Sequence, residues 1–217
     1  MILETERLTL RPWLEEDAEE LFSLASDPEV GPPAGWPPHK SAEESREIIK
    51  TVLSAPETYA VCLKGDGRIV GCIGLHRNDL ASAEDEYELG YWAGKSFWGQ
   101  GMIPEAAREL LHHAFADLKM RRIWCGFYEG NRRSRRVQDK LGFLYHHTTE
   151  GIELPLLGET RKGHAMLMTR ERYDKVKLFL AQKRTLDTFL ENGAITPAQY
   201  GKSFGDLKAF MNMQEVK

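Results

Sequence analysis

"YWAGKSFWGQGMIPEAARELL", residues 91–111, places Gly94, Gly99 and Gly101 ahead of a stretch that becomes helical in pattern at Ile103, with Gly90 just before it. Gly94-Lys95-Ser96 has the form of the end of a phosphate-binding P-loop, but that motif requires a glycine at position 89, where Leu89 stands. A P-loop helix also starts at its Lys-Ser, whereas Gly99, Gly101 and Pro104 delay the helix here to about Met102. The spacing therefore points away from an NTPase. It points instead to residues 96–106 as a loop whose glycines expose backbone N–H groups just before a helix N-terminus. There the unpaired donors and the helix dipole favour an anion such as a pyrophosphate. A glycine-rich turn with no ligand is the plain alternative.

Working outward, Ile103, Ala107, Leu110, Leu111, Ala114, Phe115 and Leu118 mark one face of the following helix. Upstream, "EYELGYW" (86–92) reads as a strand, and residues 58–76 as a hairpin turning at Gly65-Asp66-Gly67. "RLTLRPW" (7–13) is strand-like, 14–25 are helical, and the four prolines of "GPPAGWPP" (31–38) exclude regular structure. Ser41 is placed to cap a helix over 41–53. Downstream come a strand at 122–128, a helix over 131–143 opened by Asn131 and closed by Gly142, and strands at 143–149 and 163–169. Antiparallel β first, then β-helix-β-helix-β, predicts an α/β (α+β) chain with a mixed central sheet flanked by helices.

From Arg170 the pattern is helical, broken at "ENGAITPAQ" (191–199). Tyr200, Phe204, Leu207 and Met211 form an apolar stripe that needs a partner surface. The expected organisation is a domain over 1–171 and a helical C-terminal extension over 172–217, which either folds back on the domain or pairs with a second copy in a homodimer.

The 217 residues, 41% of them hydrophobic, suffice for one ordinary core with room for an appendage. A net charge of −4 supplies no general drive toward nucleic acid or anionic membrane. Cys62, Cys72 and Cys125 stand in strand-like runs without a CxxC pair, so neither disulfides nor zinc are indicated. With no leader-like start and no long apolar run, the expected location is cytoplasmic. The pairs His112-His113 and His146-His147 are poor metal candidates, because neighbours on a helix or strand point in different directions.

Four segments in order, "LETERLTLRPW" (3–13), "ELGYW" (88–92), "WGQGMIPEA" (98–106) and "GNRRSRRVQDKLGF" (130–143), make residues 2–169 resemble the GNAT family of N-acetyltransferases. The branch resembled includes the ribosomal-protein N-terminal acetyltransferases. Ser96 departs from the Arg or Gln with which the family's cradle often begins. The resemblance implies the GNAT fold and acetyl-CoA as co-substrate, with no metal. Trp98, Gly99, Gln100, Gly101, Met102 and Ile103 would cradle its pyrophosphate, and backbone at Trp92, Ala93 and Gly94 would meet its pantetheine arm.

It also implies direct transfer to a primary amine, on a protein N-terminus or a small molecule, through a tetrahedral intermediate without an acyl-enzyme. Asn131 and Ser134, three apart on a helix, share a face. In the family the matching Asn touches the pantetheine arm and the matching Ser lies near the sulfur, which makes Ser134 the candidate proton donor to the leaving thiolate. Helix capping is their plain reading. The amine must attack in its neutral form, so a base or water chain is useful. Glu88 is the first candidate, with Glu86 on the same strand face, and an exposed strand glutamate is the alternative. Arg132, Arg133, Arg135 and Arg136 are placed to meet phosphates or merely solvent, and the loop carrying Trp36 falls where the family covers its acceptor site. A cofactor-binding sensor or interaction module without turnover is the rival function, since fold alone does not fix activity.

Overall fold

The computed structural model describes residues 1–213 and 216. Its framework is one eight-stranded sheet in the order β1-β2-β3-β4-β5-β6-β8-β7. The strands are β1 (Leu3–Glu4), β2 (Leu8–Arg11), β3 (Thr58–Leu63), β4 (Ile69–His76), β5 (Glu86–Ala93), β6 (Arg122–Tyr128), β7 (Leu144–Leu154) and β8 (Glu159–Thr169). Every adjacent pair is antiparallel except β5 and β6. The 58–76 hairpin forms as expected, with Gly67 supplying the positive φ its turn requires.

Alternation along the strands builds two cores. Leu8, Leu10, Val61, Leu75, Leu89 and Ile123 point to the face covered by α3 (Met102–Ala116), which answers with Ala106, Ala107, Leu110, Ala114 and Phe115. Ala60, Cys62, Ile69 and Cys72 point to the other face, where α1 (Ala18–Ala25) packs with Trp13, Leu21 and Ala25. Ser41 caps α2 (Ala42–Ile48), accepting from the Glu44 N–H at 3.1 Å, but the regular helix stops short of Leu53. Residues Ile49–Leu53 widen into a π-type turn, where the Thr51 and Ser54 hydroxyls donate to carbonyls four residues back and compete with the regular ladder.

The β7-β8 hairpin is longer than the sequence pattern suggested, because residues 152–154 pair with 159–161 beyond the two apolar runs. The helix α4 (Arg132–Leu141) ends at Gly142, whose φ of 90° is the left-handed turn expected there. The tail forms a hairpin of α5 (Arg170–Glu191) and α6 (Pro197–Met211), with a Thr196/Gln199 capping box starting the second helix. The partner of the apolar stripe is α5 itself: Phe204, Leu207 and Met211 pack around Val176 and the fully buried Phe179. Tyr173 stacks on Phe115 at 4.5 Å and Arg172 Nε donates to the Gly142 carbonyl at 3.0 Å, so the first turn of α5 is seated on the sheet domain. No helix among the described residues is long and apolar enough to cross a membrane.

Candidate active site

The site begins where the parallel pair of the described sheet gives way. β5 and β6 are in register at Glu86–Arg122, Tyr87–Ile123 and Glu88–Trp124, and past these residues the strands part. Glu88 fills the widening: its Oε1 accepts the Gly126 N–H at 3.1 Å, replacing a ladder partner, and the Asn78 side-chain amide donates to its Oε2. Gly126 has to be small for this, since a Cβ there would lie 2.9 Å from Glu88 Oε1.

The Gly94 N–H donates to Val70 O at 2.9 Å, within the β4 side of the ladder. By the alternation of an antiparallel strand, the amides of Trp92 and Gly94 therefore face β4, while those of Tyr91 and Ala93 face the opening. The pantetheine-facing backbone expected at 92–94 is thus narrowed to Ala93, joined by Tyr91. Of these groups the Ala93 carbonyl is already taken, accepting from Trp98 Nε1 at 2.8 Å.

The glycine loop adopts the geometry that its sequence demands. Gly99 and Gly101 have φ of 78° and 77°, and Gly101 is the N-cap of α3. Arg7, which sequence reading passed over, holds this loop from outside. Its guanidinium donates to the Gln100 carbonyl at 3.2 and 3.3 Å and pairs with Glu105 at 2.7 Å. A trans peptide whose carbonyl is drawn outward turns its N–H the opposite way, so Arg7 aims the Gly101 amide inward. The Gln100 side chain donates back to Ser96 O at 2.7 Å, while Met102 and Ile103 are buried beneath the loop. The groove in front, about 260 Å³, is lined by Trp98, Gly99, Gly101, Arg133, Arg136 and Lys140, among others. Arg133 lies 3.7 Å over the Trp98 ring, a cation–π contact worth about 0.5–1 kcal/mol at an exposed position.

At the start of α4, Asn131 is the N-cap: its Oδ1 accepts the Ser134 N–H at 3.1 Å. Its Nδ2 donates to Pro33 O at 3.0 Å, which staples the proline loop over the site. Ser134 Oγ accepts from Gln138 Nε2 at 3.0 Å and lies 3.0 Å from the Tyr91 hydroxyl, which also reaches Ser134 O at 3.1 Å. With Tyr91 donating to the Ser134 carbonyl and Gln138 to Oγ, the 3.0 Å contact between the two hydroxyls is made by Ser134 donating to Tyr91, so the serine's proton turns from Tyr91 to reach the groove. Tyr91 was legible only as a strand residue, and burial pushes its hydroxyl well above the ordinary tyrosine value.

Across the opening is a second cleft of about 880 Å³, walled by Trp36, Trp92, Phe127 and Tyr128 and bearing Glu88, Asp79, His76 and His164. Trp36 stands edge-on to Trp92 at 5.7 Å, so the proline loop does roof this cleft. Burial lowers the His76 pKa against the opposing pull of Glu88. Glu86, the second carboxylate singled out, is not in the cleft. Burial raises its pKa, but hydrogen bonds from Arg122 and Trp124, each at 2.8 Å, outweigh this and hold it below the usual carboxylate value. It is locked as the sheet's counter-charge. The expectation that His146 and His147 point apart fails, because the β7 register shifts between Tyr145 and His147. The two Nδ1 atoms come within 2.8 Å, and both rings stand edge-on to Trp124. No group of three or more metal-ligating side chains occurs among the described residues.

Comparison with known proteins agrees with this geometry. Residues 7–144 match the family profile described as "Acetyltransferase (GNAT) domain". An uncharacterized N-acetyltransferase of Bacillus licheniformis is 30% identical over 146 residues, covering 65% of this chain and 81% of that protein. The ribosomal-protein-serine acetyltransferase of Escherichia coli is 29% identical over 114 residues, covering 50% and 62%. A GNAT-family acetyltransferase structure from Bacillus anthracis shares the fold, with a TM-score of 0.71 and 24% identity over 79% of this chain and 99% of that one. The chain belongs to the GNAT family. It is an acetyltransferase, with ribosomal-protein acetyltransferases among its relatives.

Proposed function

We propose that the protein transfers an acetyl group from acetyl-CoA to a primary amine by direct attack. One observation carries this reading: the sheet opens just past Glu88, and that opening joins the glycine cradle on one side to the aromatic cleft on the other. The thioester supplies the activated acyl group. The chain's residues fit such a co-substrate, since two positive-φ glycines and the head of α3 present N–H donors while Arg133, Arg136 and Lys140 rim the same groove. Glu88, fixed by Gly126 and Asn78, takes a proton from the amine directly or through water. The inward amides of Tyr91 and Ala93 are placed to stabilise the charge that develops on the carbonyl oxygen. Ser134 returns a proton to the departing sulfur. The test is release of coenzyme thiol from acetyl-CoA over a panel of peptides, polyamines and aminoglycosides. Tight cofactor binding with no turnover on any of them is the outcome that overturns the reading.

Ser134→Ala is expected to lower kcat by about 10- to 100-fold with little change in acetyl-CoA affinity, because a leaving-group donor acts in the transition state. Loss of thermal stability alone, with kcat intact, would return Ser134 to its capping role.

The catalytic unit is residues 1–171, with 172–217 a C-terminal extension that carries the α5-α6 hairpin, working in the cytoplasm. The extension's outward residues support a homodimer: Phe210 is 90% exposed and Leu178 53%. Phe210→Asp should shift the light-scattering mass from dimer to monomer at micromolar concentration. A full-length protein already monomeric there disproves the dimer.

A further inference from the structure

The cations around the opening lie on one side of it. Arg132, Arg133 and Arg161, with Glu29 and Glu129, line the outer cavity beside the cradle, and Arg133, Arg136 and Lys140, with Glu29, line the groove itself. The aromatic cleft across the sheet has neither lysine nor arginine among its described lining residues, yet it carries Glu88 and Asp79. Arg161, whose guanidinium lies 5.7 Å from the centroid of the Tyr128 ring in the cleft wall, is engaged elsewhere. It donates to Pro32 O at 2.6 Å and pairs with Glu159. The only basic side chains among the described lining residues are three histidines, and their rings are partly buried or engaged. Burial lowers the His76 pKa, His164 Nδ1 is 2.8 Å from the Thr148 hydroxyl, and His147 Nδ1 faces His146.

A carboxylate or phosphate carried next to the reacting amine would enter this cleft with no counter-ion and two like charges ahead of it, beneath a roof of apolar rings. Desolvating an anion there is unfavourable, whereas an ammonium is drawn in by Glu88 and Asp79 and an apolar group is accepted by Trp36 and Trp92. Resting on the acetyltransferase reading, we infer that the acceptor is an amine whose amine-bearing carbon carries an apolar or aromatic group and no anion. Free α-amino acids are therefore excluded, while amines or peptide N-termini headed by an apolar residue are admitted.

The test compares L-phenylalanine, L-phenylalaninamide and a phenylalanine-headed pentapeptide amide, which share a side chain and differ in the charge beside the amine. Thiol release should show kcat/KM at least about 100-fold higher for the amide or the pentapeptide than for the free acid. Which of those two is faster separates a small-amine from a peptide source. Equal or better turnover of the free acid overturns the inference. Quenching of the protein's tryptophan fluorescence, measured with coenzyme A present, reads binding without turnover. If no acceptor turns over, quenching by the amide but not the acid still supports the cleft assignment, and acetyl transfer alone fails. Equal quenching by both overturns the assignment. Asp79→Lys, at an exposed loop position, should narrow the amide-to-acid ratio several-fold in both measurements, and an unchanged ratio counts against the charge argument.

Discussion

Gly101→Glu abolishes acetyl-CoA binding, with affinity falling at least about 100-fold in calorimetric titration, while circular dichroism and gel filtration remain those of a folded protein. Position 101 is the N-cap of α3 at a φ of 77°, and an added Cβ would meet only Arg7 Nη2, at 3.8 Å. The fold thus has room for the side chain. Strain at a left-handed non-glycine residue costs about 1–2 kcal/mol, and an acid at a helix N-terminus offsets part of that. What the substitution adds is a negative charge at the head of α3 and beside Arg7, which aims the Gly101 amide, so it opposes an anion on the N–H groups and loosens the residue that orients them. Gly101→Ala shares the strain without the charge or bulk, so it separates the two effects. It should keep most of the affinity that Gly101→Glu loses. Undiminished binding by a folded Gly101→Glu protein would remove the cradle assignment.

Replacing Glu88 by Gln should cut kcat/KM by about 10²- to 10³-fold, the range for loss of a positioned general base, with acetyl-CoA affinity unaltered. The amide keeps an acceptor for the Gly126 N–H, so the join between β5 and β6 survives; only the exposed bond from the Asn78 side-chain amide is lost, and stability should fall by no more than about 1 kcal/mol. Gly126→Ala provides an independent check, because its methyl displaces the end of a flexible side chain rather than backbone. It should reproduce much of the rate loss with Glu88 still present. Near-normal rates in both variants would mean that water or another group takes the amine's proton.

The order of elements was legible in the sequence because each one carries its own local signal: the Gly65–Gly67 turn, the Ser41 and Asn131 caps, the α3 face and the two cradle glycines. The site was legible only in part. The bond from Glu88 to Gly126 spans 38 residues, and those from Arg7 to Gln100 and from Asn131 to Pro33 span 93 and 98. No periodicity encodes contacts at such separations. Tyr91 was hidden for a related reason: strand alternation shows which residues share a face, not that the next helix will bring Ser134 against one of them. The β7 irregularity that joins His146 to His147 breaks the very alternation from which their separation was inferred. Glu86 and Glu88 were alike as a pair of carboxylates, and only the neighbours supplied by β6 divide them into a structural anion and a cleft acid.

The sulfur chemistry of the chain has a practical side. Cys62, Cys72 and Cys125 are all buried; burial raises each thiol, Cys72 to about 12 and Cys125 well above its ordinary value, and Cys125 donates to Leu89 O at 3.1 Å. Thiolate, not thiol, reacts with disulfide dyes. The native enzyme should therefore be silent toward such a dye, and colour in a turnover assay counts liberated coenzyme alone. Three further equivalents appear only when the sheet comes apart, so the same cuvette that measures catalysis also reports unfolding, variant by variant.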